Sequence, residues 1–313
     1  MEWPRRIIDI GLNKASVLVA GSGRSGTTWI GGVIAEMTRS RSIFEPCVLD
    51  NTDQLALAKS PPAPRESWAY DHILYIPPDL GARSRYYQPI KKILCGRIRS
   101  DWCDMYTPSG IYHRRLIKAI RVNLVLSYLT RTWPNLKVVW VMRRARNVIA
   151  SQLTMETKHH WIFGGDFKIV SETDISDRWL SERVAALRDA TTLVEKLAHR
   201  WCIETIAPLR LGVHKHPNIR LVYYEDLVND ATAWEPISQL VVGKVWSGER
   251  FAKARHQQSA TSRSRPLVDD TPGEREHELD LSPEDELVID RVIRAYNIGE
   301  FLQSIPGLQS VVQ

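Results

Sequence analysis

A glycine-rich segment near the start of the chain has the residue types that bind a phosphate or a sulfate. Gly21, Gly23 and Gly26 follow the apolar run at residues 17–20. Glycines let the backbone curl so that several N–H groups converge, and a helix that starts after the turn adds the positive end of its dipole. The segment therefore predicts an anion site between a strand and a helix.

The spacing of this segment approaches the G-x-x-x-x-G-K-[ST] loop of ATP-binding proteins without matching it. Gly21 and Gly26 fit the two glycines, and Thr28 fits the hydroxyl position. Thr27 replaces the lysine, and the cation stands earlier, at Arg24. Because an ATP-binding enzyme needs that lysine near the terminal phosphates, the departure favours a different anionic ligand. A P-loop kinase or another ATP user stays an alternative.

A second basic segment follows another apolar run, at residues 136–142, which predicts a buried strand. ATP-binding proteins place an Asp after such a strand to hold magnesium, whereas this chain continues Arg143-Arg-Ala-Arg146. Ser151 follows about two helical turns on. An arginine and a serine so placed can bind one phosphate together, and the carboxyl end of the strand is where α/β sheets bind ligands.

The elements that must position these residues alternate between strand and helix. Strands are predicted at 15–20, 42–46, 92–98, 136–142 and 217–223, and helices at 26–39, 111–131, 145–155, 177–211 and 281–303. This alternation favours right-handed βαβ units around a mostly parallel sheet. We expect an α/β three-layer sandwich in one domain that spans residues 1–313.

Three stretches are interpreted as irregular, and the first 13 residues as a short basic lead. Residues 47–90 and 156–176 are expected to be excursions that shape a substrate pocket, and residues 250–276 to be a mobile loop. The first excursion is rich in Pro, Asp and Ser between residues 50 and 80, and the second is mixed in composition. The loop at 250–276 has few large apolar residues and many Ser, Arg and Gln.

The composition fits an ordinary globular protein, because 43% of the 313 residues are hydrophobic. The net charge of +6 suits an anionic ligand. The sequence has no basic stripe interleaved with aromatic residues, so no nucleic-acid partner is expected. The four cysteines show no CxxC pairing, so no metal site is expected. The sequence shows no leader peptide and no apolar run that would span a bilayer, and we expect a cytoplasmic protein of unknown oligomeric state.

These motifs together resemble the sulfotransferases that use 3′-phosphoadenosine 5′-phosphosulfate (PAPS). The 5′-phosphosulfate loop of that family is similar to Gly23-Arg24-Ser25-Gly26-Thr27-Thr28-Trp29, and its 3′-phosphate motif is similar to residues 143–151. A third match is Tyr223-Tyr224-Glu-Asp-Leu227, where the family's tyrosine contacts the adenine region. The resemblance covers residues 15 to about 303 and implies a P-loop NTPase-like sulfotransferase fold.

The resemblance implies transfer of a sulfuryl group from PAPS to an acceptor hydroxyl, with no metal. Arg24 would neutralise the leaving 5′-phosphate, and the amides of residues 25–28 would cradle it. Arg143 and Ser151 would bind the 3′-phosphate and Tyr224 the adenine region. Arg263 or Arg265, in the loop at 250–276, would add a contact to the 3′-phosphate.

The family also suggests the general base. Branches that act on glycans or on tyrosine use a glutamate at about the interval of Glu45, whereas the cytosolic branch uses a histidine at the end of a later strand. We identify that strand as residues 95–99, which hold Arg97 and Arg99 and no histidine, so Glu45 is favoured. A simple surface pair between Glu45 and an arginine is the alternative. Other candidate bases have the imidazole in common: His72, His113, His159 and His160.

The acceptor is expected to be a carbohydrate or glycoconjugate, because eleven tryptophans and the long excursions suit a sugar-binding pocket. A small molecule, a natural product and a peptide tyrosine stay open as acceptors. A non-catalytic binder of the nucleotide is a further alternative. Arg97 and Arg99 could hold an anionic acceptor or pair with Asp101 or Asp104.

Overall fold

The computed structural model describes residues 6–11, 16–49, 55, 72–159, 167–246 and 281–297. Within them the strands are β1 (Ile7–Asp9), β2 (Val17–Gly21), β3 (Arg41–Phe44), β4 (His72–Tyr75), β5 (Gly110–Tyr112), β6 (Arg115–Ala119), β7 (Lys137–Met142), β8 (Lys168–Ser171) and β9 (Ile219–Tyr223). The helices are α1 (Thr27–Thr38), α2 (Tyr87–Leu94), α3 (Leu126–Thr132), α4 (Ala145–His159), α5 (Arg178–Asp189), α6 (Leu193–Arg210), α7 (Tyr224–Asn229), α8 (Glu235–Val242) and α9 (Pro283–Ala295).

A five-stranded sheet of order β3-β6-β2-β7-β9 is parallel throughout. Its central strand β2 is buried along its whole length, as the apolar run predicts for a strand covered on both faces. Val17 pairs with Leu116 of β6 on one side and with Lys137 of β7 on the other. All five strands therefore bring their carboxyl ends to one edge.

Two apolar layers cover the two faces of this sheet. Val17 and Val19 pack with side chains of α1 and α8, whereas Leu18 and Ala20 pack with a larger cluster that includes α3, α4, α6 and α9. The alternation along β2 follows from the period of two in a strand. The α/β three-layer sandwich and its mostly parallel sheet are confirmed.

Two predicted elements between residues 92 and 131 are wrong. Residues 111–131 form β5, β6 and α3 instead of one helix. The strand predicted at 92–98 is the end of α2 and a turn, in which Gly96 takes a left-handed φ of +66°. The misassignment arose because Arg115 and Lys118 interrupt the apolar pattern of β6, although both side chains are buried and paired with acids.

Three regions that were not expected to contain strands do contain them. β1 lies in the predicted basic lead and pairs with β5 in parallel. β4 lies in the predicted excursion at 47–90, is fully buried, and pairs in parallel with β8, which lies in the excursion at 156–176. These two-stranded sheets join segments distant in sequence, so no local pattern announces them.

The remaining elements follow the predictions with shifted bounds. The strands and helices predicted around β2, α1, β3, β7 and β9 are present, and α4 runs on to His159. The stretch at 177–211 divides into α5 and α6, with Asp177 and Thr192 as N-caps. Ser282 caps α9 in a capping box. The loop at 250–276, with Arg263 and Arg265, and residues 298–303 lie outside the described residues.

Among the described residues, no helix has the length and apolar character needed to cross a bilayer.

Candidate active site

The glycine-rich loop connects Gly21 of β2 to the start of α1. Gly26 takes a left-handed φ of +87°, and a Cβ there would lie 2.2 Å from the ring of Tyr224. Ser25 folds the loop through its backbone N–H and its hydroxyl, which both donate to the carbonyl of Ser22, at 3.1 and 2.6 Å. Since the N-cap residue Gly26 has no side chain to cap α1, the first N–H groups of this helix suit an anion in the loop.

Arg24 joins this loop to helix α4. Its Nε donates to the hydroxyl of Ser151 at 3.0 Å, and its own carbonyl accepts from Arg143 Nη1 at 3.0 Å. The amide of Gln152 donates to the carbonyl of Gly23 at 2.8 Å. The structure thus brings together the loop cation and the arginine–serine pair, which lie more than a hundred residues apart in the sequence.

Arg143 follows β7 and lies over an aromatic face. Its guanidinium is 4.6 Å from the ring centroid of Tyr224, and Tyr224 meets Trp29 edge-on at 5.7 Å. The Nε of Arg143 is buried and has no hydrogen-bond partner among the described residues. An unpaired buried donor on a cation fits a phosphate oxygen, so the arginine is suited to an anionic ligand.

Glu225 orients the start of α4, a role that the sequence analysis missed. One carboxylate oxygen accepts from the backbone N–H of Arg144 at 3.1 Å and from Asn147 Nδ2 at 3.2 Å. A carboxylate at a helix N-terminus is favourable because it meets unpaired N–H groups and the positive end of the dipole. The available signal was the position of Glu225 just after the strand predicted at 217–223. In the structure this strand is β9, which pairs with β7.

Glu45 is buried at the end of β3, contrary to a simple surface pair. Its carboxylate forms an ion pair with Lys118 Nζ, accepts from the backbone N–H of Ile120 at 3.2 Å, and lies 3.5 Å from Arg121 Nη1. Its carbonyl accepts from Trp102 Nε1 at 3.2 Å. Glu45 also has a left-handed φ of +41°, so the surrounding contacts hold it in a conformation that non-glycine residues rarely adopt.

Lys118 and Arg121 are the second omission of the sequence analysis. Burial lowers the pKa of Lys118, the charge of Glu45 opposes that shift, and the cations Arg121 and Arg24 lower it further. Lys118 lines the same cleft as Thr28, which follows Gly26 of the glycine-rich loop, so this cluster lies near the loop. A lone lysine within the apolar run of β6 was the available signal.

The other candidate bases are dispersed. His72 is buried in β4, where its Nε2 accepts from the backbone N–H of Leu49 at 3.3 Å, and His113 is exposed. The side chain of His159 and all of His160 lie outside the described residues. Residues 95–99 do not form the strand next to β2. That strand is β6, and the residue that follows it is Ile120, not a histidine.

The two arginines considered for an anionic acceptor follow helix α2. Arg99 lies 3.6 Å from Asp104 and donates to the carbonyl of Ile7 at 3.1 Å, so the pairing alternative applies to it. Arg97 is exposed.

A cleft of about 900 Å³ opens beside the Glu45 cluster, between α1 and residues 105–112. We call it the α1 cleft. Thr28 and Lys118 line its inner end, and Phe44 and Tyr106 line the adjoining wall. The site therefore combines an anion-binding loop, a second cationic subsite, a buried carboxylate and a cleft of ligand size. This arrangement offers groups for an anionic ligand at the loop and space for a second ligand in the cleft.

Comparison with known proteins agrees with this chemistry. The sulfotransferase family model matches residues 16–234. Similar solved structures are a mouse sulfotransferase, SULT7A1, complexed with PAP (11% identity, 95% of this chain and 87% of that chain, TM-score 0.43) and the sulfotransferase domain of the curacin biosynthetic pathway (14%, 91% and 98%, 0.43). A sulfotransferase from Alicyclobacillus acidocaldarius is also similar (10%, 95% and 96%, 0.39). No curated protein matches the sequence.

Proposed function

The chain belongs to the sulfotransferase family, and we propose that it transfers a sulfuryl group from PAPS to a hydroxyl of a carbohydrate or glycoconjugate. The observation that supports the donor best is the convergence of Arg24, Arg143 and Ser151 around the glycine-rich loop. Two phosphate subsites suit PAPS, whose 3′-phosphate distinguishes it from ATP.

The residues of the loop bind and stabilise the leaving group in this proposal. The backbone N–H groups of residues 25–28 hold the 5′-phosphate, and the Arg24 guanidinium offsets the charge that develops on it. Arg143 and Ser151 hold the 3′-phosphate, and the ring of Tyr224 borders the adenine region. Holding the donor at both phosphates fixes the sulfur in line with the incoming hydroxyl.

Glu45 is the proposed general base. The acceptor oxygen forms a bond to sulfur, the bond between sulfur and the 5′-phosphate oxygen breaks, and the acceptor proton passes to the Glu45 carboxylate. The ion pairs with Lys118 and Arg121 support this assignment because they fix the orientation of the carboxylate. Lys118 lines the α1 cleft, so its side chain can also contact a sulfuryl oxygen in this proposal.

Several finer expectations stay predictions. A small-molecule hydroxyl and a peptide tyrosine are the alternative acceptors, and a cytoplasmic location and a single domain over residues 1–313 await direct tests. Contacts of Arg263 or Arg265 with the 3′-phosphate also belong to this proposal.

Calorimetric titration with adenosine 3′,5′-bisphosphate (PAP), 5′-AMP and ATP–magnesium tests the donor. We expect tight binding of PAP alone. Arg143→Ala should weaken PAP binding by about a hundredfold, since it removes hydrogen bonds to a charged group worth about 1.5–3 kcal/mol each. Arg144→Ala is the matched control, because it removes the neighbouring positive charge, and it should bind PAP within a fewfold of the wild type.

The assignment of Glu45 as the general base is tested with one further variant. Glu45→Gln should keep PAP binding and lose sulfuryl transfer from ³⁵S-labelled PAPS to any acceptor that the wild type uses. A preference for ATP–magnesium, or equal affinity for PAP and 5′-AMP, would contradict the sulfotransferase proposal. Full turnover by Glu45→Gln would exclude the base and leave the donor assignment intact.

A further inference from the structure

The α1 cleft points to the shape of the acceptor. We infer that this cleft binds an extended carbohydrate, which lies along α1 with its reacting hydroxyl at the inner end. The inference rests on the proposed function, because Thr28 and Lys118 belong both to the cleft and to the surroundings of the transfer site. An occupant of the cleft therefore ends where the sulfuryl group is transferred.

The α1 side of the cleft includes three small residues. Gly31, Gly32 and Ala35 line it together with larger side chains such as Trp29 and Val33. Gly32 is exposed, and a Cβ there would meet no atom within 4 Å, so neither packing nor a left-handed φ requires glycine at this position. Glycine in a helix interior destabilises the helix, so its presence here calls for another reason. A ligand that lies flat against the helix supplies one.

The opposite wall suits sugars because it mixes aromatic, hydroxyl and charged groups. Tyr106 meets Phe44 edge-on with ring centroids 4.8 Å apart, and Tyr112 lines the outer part of the cleft. Glu36 and Arg39 stand on the α1 side at the outer end. Sugar rings offer apolar faces to aromatic rings and hydroxyl edges to charged groups, so both kinds of group on these walls can contact a sugar.

The length of the cleft favours an oligosaccharide over a single sugar. The α1 wall from Thr28 to Arg39 extends about 16 Å at the helical rise per residue. One sugar ring would fill only the inner end, next to Lys118. Additional rings would lie over Gly32 and reach Glu36 and Arg39. Binding energy from these distant rings would then hold the reacting hydroxyl in place.

The test starts with ³⁵S-labelled PAPS and a panel of monosaccharides, oligosaccharides up to the hexasaccharide, simple phenols and tyrosine peptides. We expect label in oligosaccharides, with kcat/KM at least tenfold above that of the monosaccharide that contains the reacting hydroxyl. Gly32→Leu should raise KM for the oligosaccharide at least tenfold and leave the monosaccharide and PAP binding unchanged. Ala185→Leu, at an exposed position of α5, is the matched control and should change neither.

Arg39→Ala provides a second variant if Gly32→Leu does not fold, and it too should affect only the longer acceptors. Equal use of monosaccharide and oligosaccharide would overturn the inference. So would label confined to phenols or tyrosine peptides, an unchanged oligosaccharide KM in the folded variants, or a protein that binds PAP and labels no glycan. A wild type that does not bind PAP would instead overturn the proposed function itself, so the two failures are distinguishable.

Discussion

The two sides of the site are held together by different interactions. On the proposed donor side, formed by the ends of β2, β7 and β9, hydrogen bonds to loop carbonyls and one capping carboxylate position Arg143 and α4. On the proposed acceptor side, formed by β3 and β6, buried ion pairs position Glu45 and Lys118. We therefore expect substitutions on the donor side to lower ligand affinity and substitutions on the acceptor side to lower the stability of the fold.

Lys118→Met should break the acceptor side most strongly. It leaves the buried Glu45 carboxylate with Arg121 and one backbone N–H, and removing one partner of a buried ion pair costs about 3–5 kcal/mol. Urea unfolding measures the loss. Lys92→Met, an exposed lysine of α2, is the control and should cost less than about 0.5 kcal/mol. Adding Glu45→Gln to Lys118→Met should recover part of the loss; no recovery would contradict the pair as its source.

Arg24→Ala should show the opposite behaviour on the donor side. We expect kcat to fall about 10²–10³-fold, as when one donor to a developing charge is removed. The free energy of unfolding should change by about 1 kcal/mol, because the side chain is only half-buried and a hydrogen bond such as the one to Ser151 is worth about that much. Steady-state kinetics and urea unfolding on the same preparation test this. A stability loss as large as that of Lys118→Met would remove the distinction.

Asp9→Asn tests whether the ion pairs between Asp9 and the strands β3 and β6 make the stability of the fold depend on pH. Asp9 bridges Arg115 of β6 at 2.7 Å and Arg41 of β3 at 3.2 Å. Burial raises the pKa of Asp9, but the hydrogen bond and charge of Arg115, helped by Gly11 and Arg41, outweigh it and lower the pKa below its ordinary value. The stabilisation is therefore present above the unfolded pKa of about 4 and is lost as pH falls through the folded pKa.

The variant should unfold more easily at pH 7 by about 2–3 kcal/mol, and its stability should fall less steeply than that of the wild type below pH 4. Chemical unfolding between pH 3 and pH 7 measures both. PAP affinity at pH 7 should stay within a fewfold of the wild type, and a large loss of affinity would show that the two sides are not separable.

Glu225→Gln should give the smallest effect and refine the donor side. It weakens the cap of α4, which costs about 1 kcal/mol, and it loosens Arg143 at the preceding turn, so PAP should bind several-fold more weakly. Glu182→Gln is the control, because its pair with Arg178 is exposed and should be worth less than about 0.5 kcal/mol. Calorimetry with PAP would contradict the role of Glu225 if both variants bound alike.

The difference between the two sides also explains which parts of the site could be predicted from the sequence. The loop, Arg143 and Ser151 were predicted because glycines, a flanking strand and a helix lie together in the sequence, and the structure brings all three groups together. β6 was missed because Arg115 and Lys118 made it resemble a partly exposed segment. Both side chains are buried because they pair with Asp9 and Glu45, which lie far away in the sequence. Buried charge depends on partners from other segments, and local patterns do not contain that information.

The pairing of β2 also has a consequence for synthesis and folding. Its partners on both sides come from much later in the chain, Leu116 and Lys137 opposite Val17. The strand therefore leaves the ribosome long before either neighbour exists, as an apolar segment with open edges. Parallel pairing over such distances forms slowly and exposes partly folded chains to aggregation. We expect refolding to be slow, and the yield of folded protein to rise when the chain is diluted. The glycine-rich loop should form only after β6 and β7 have paired with β2.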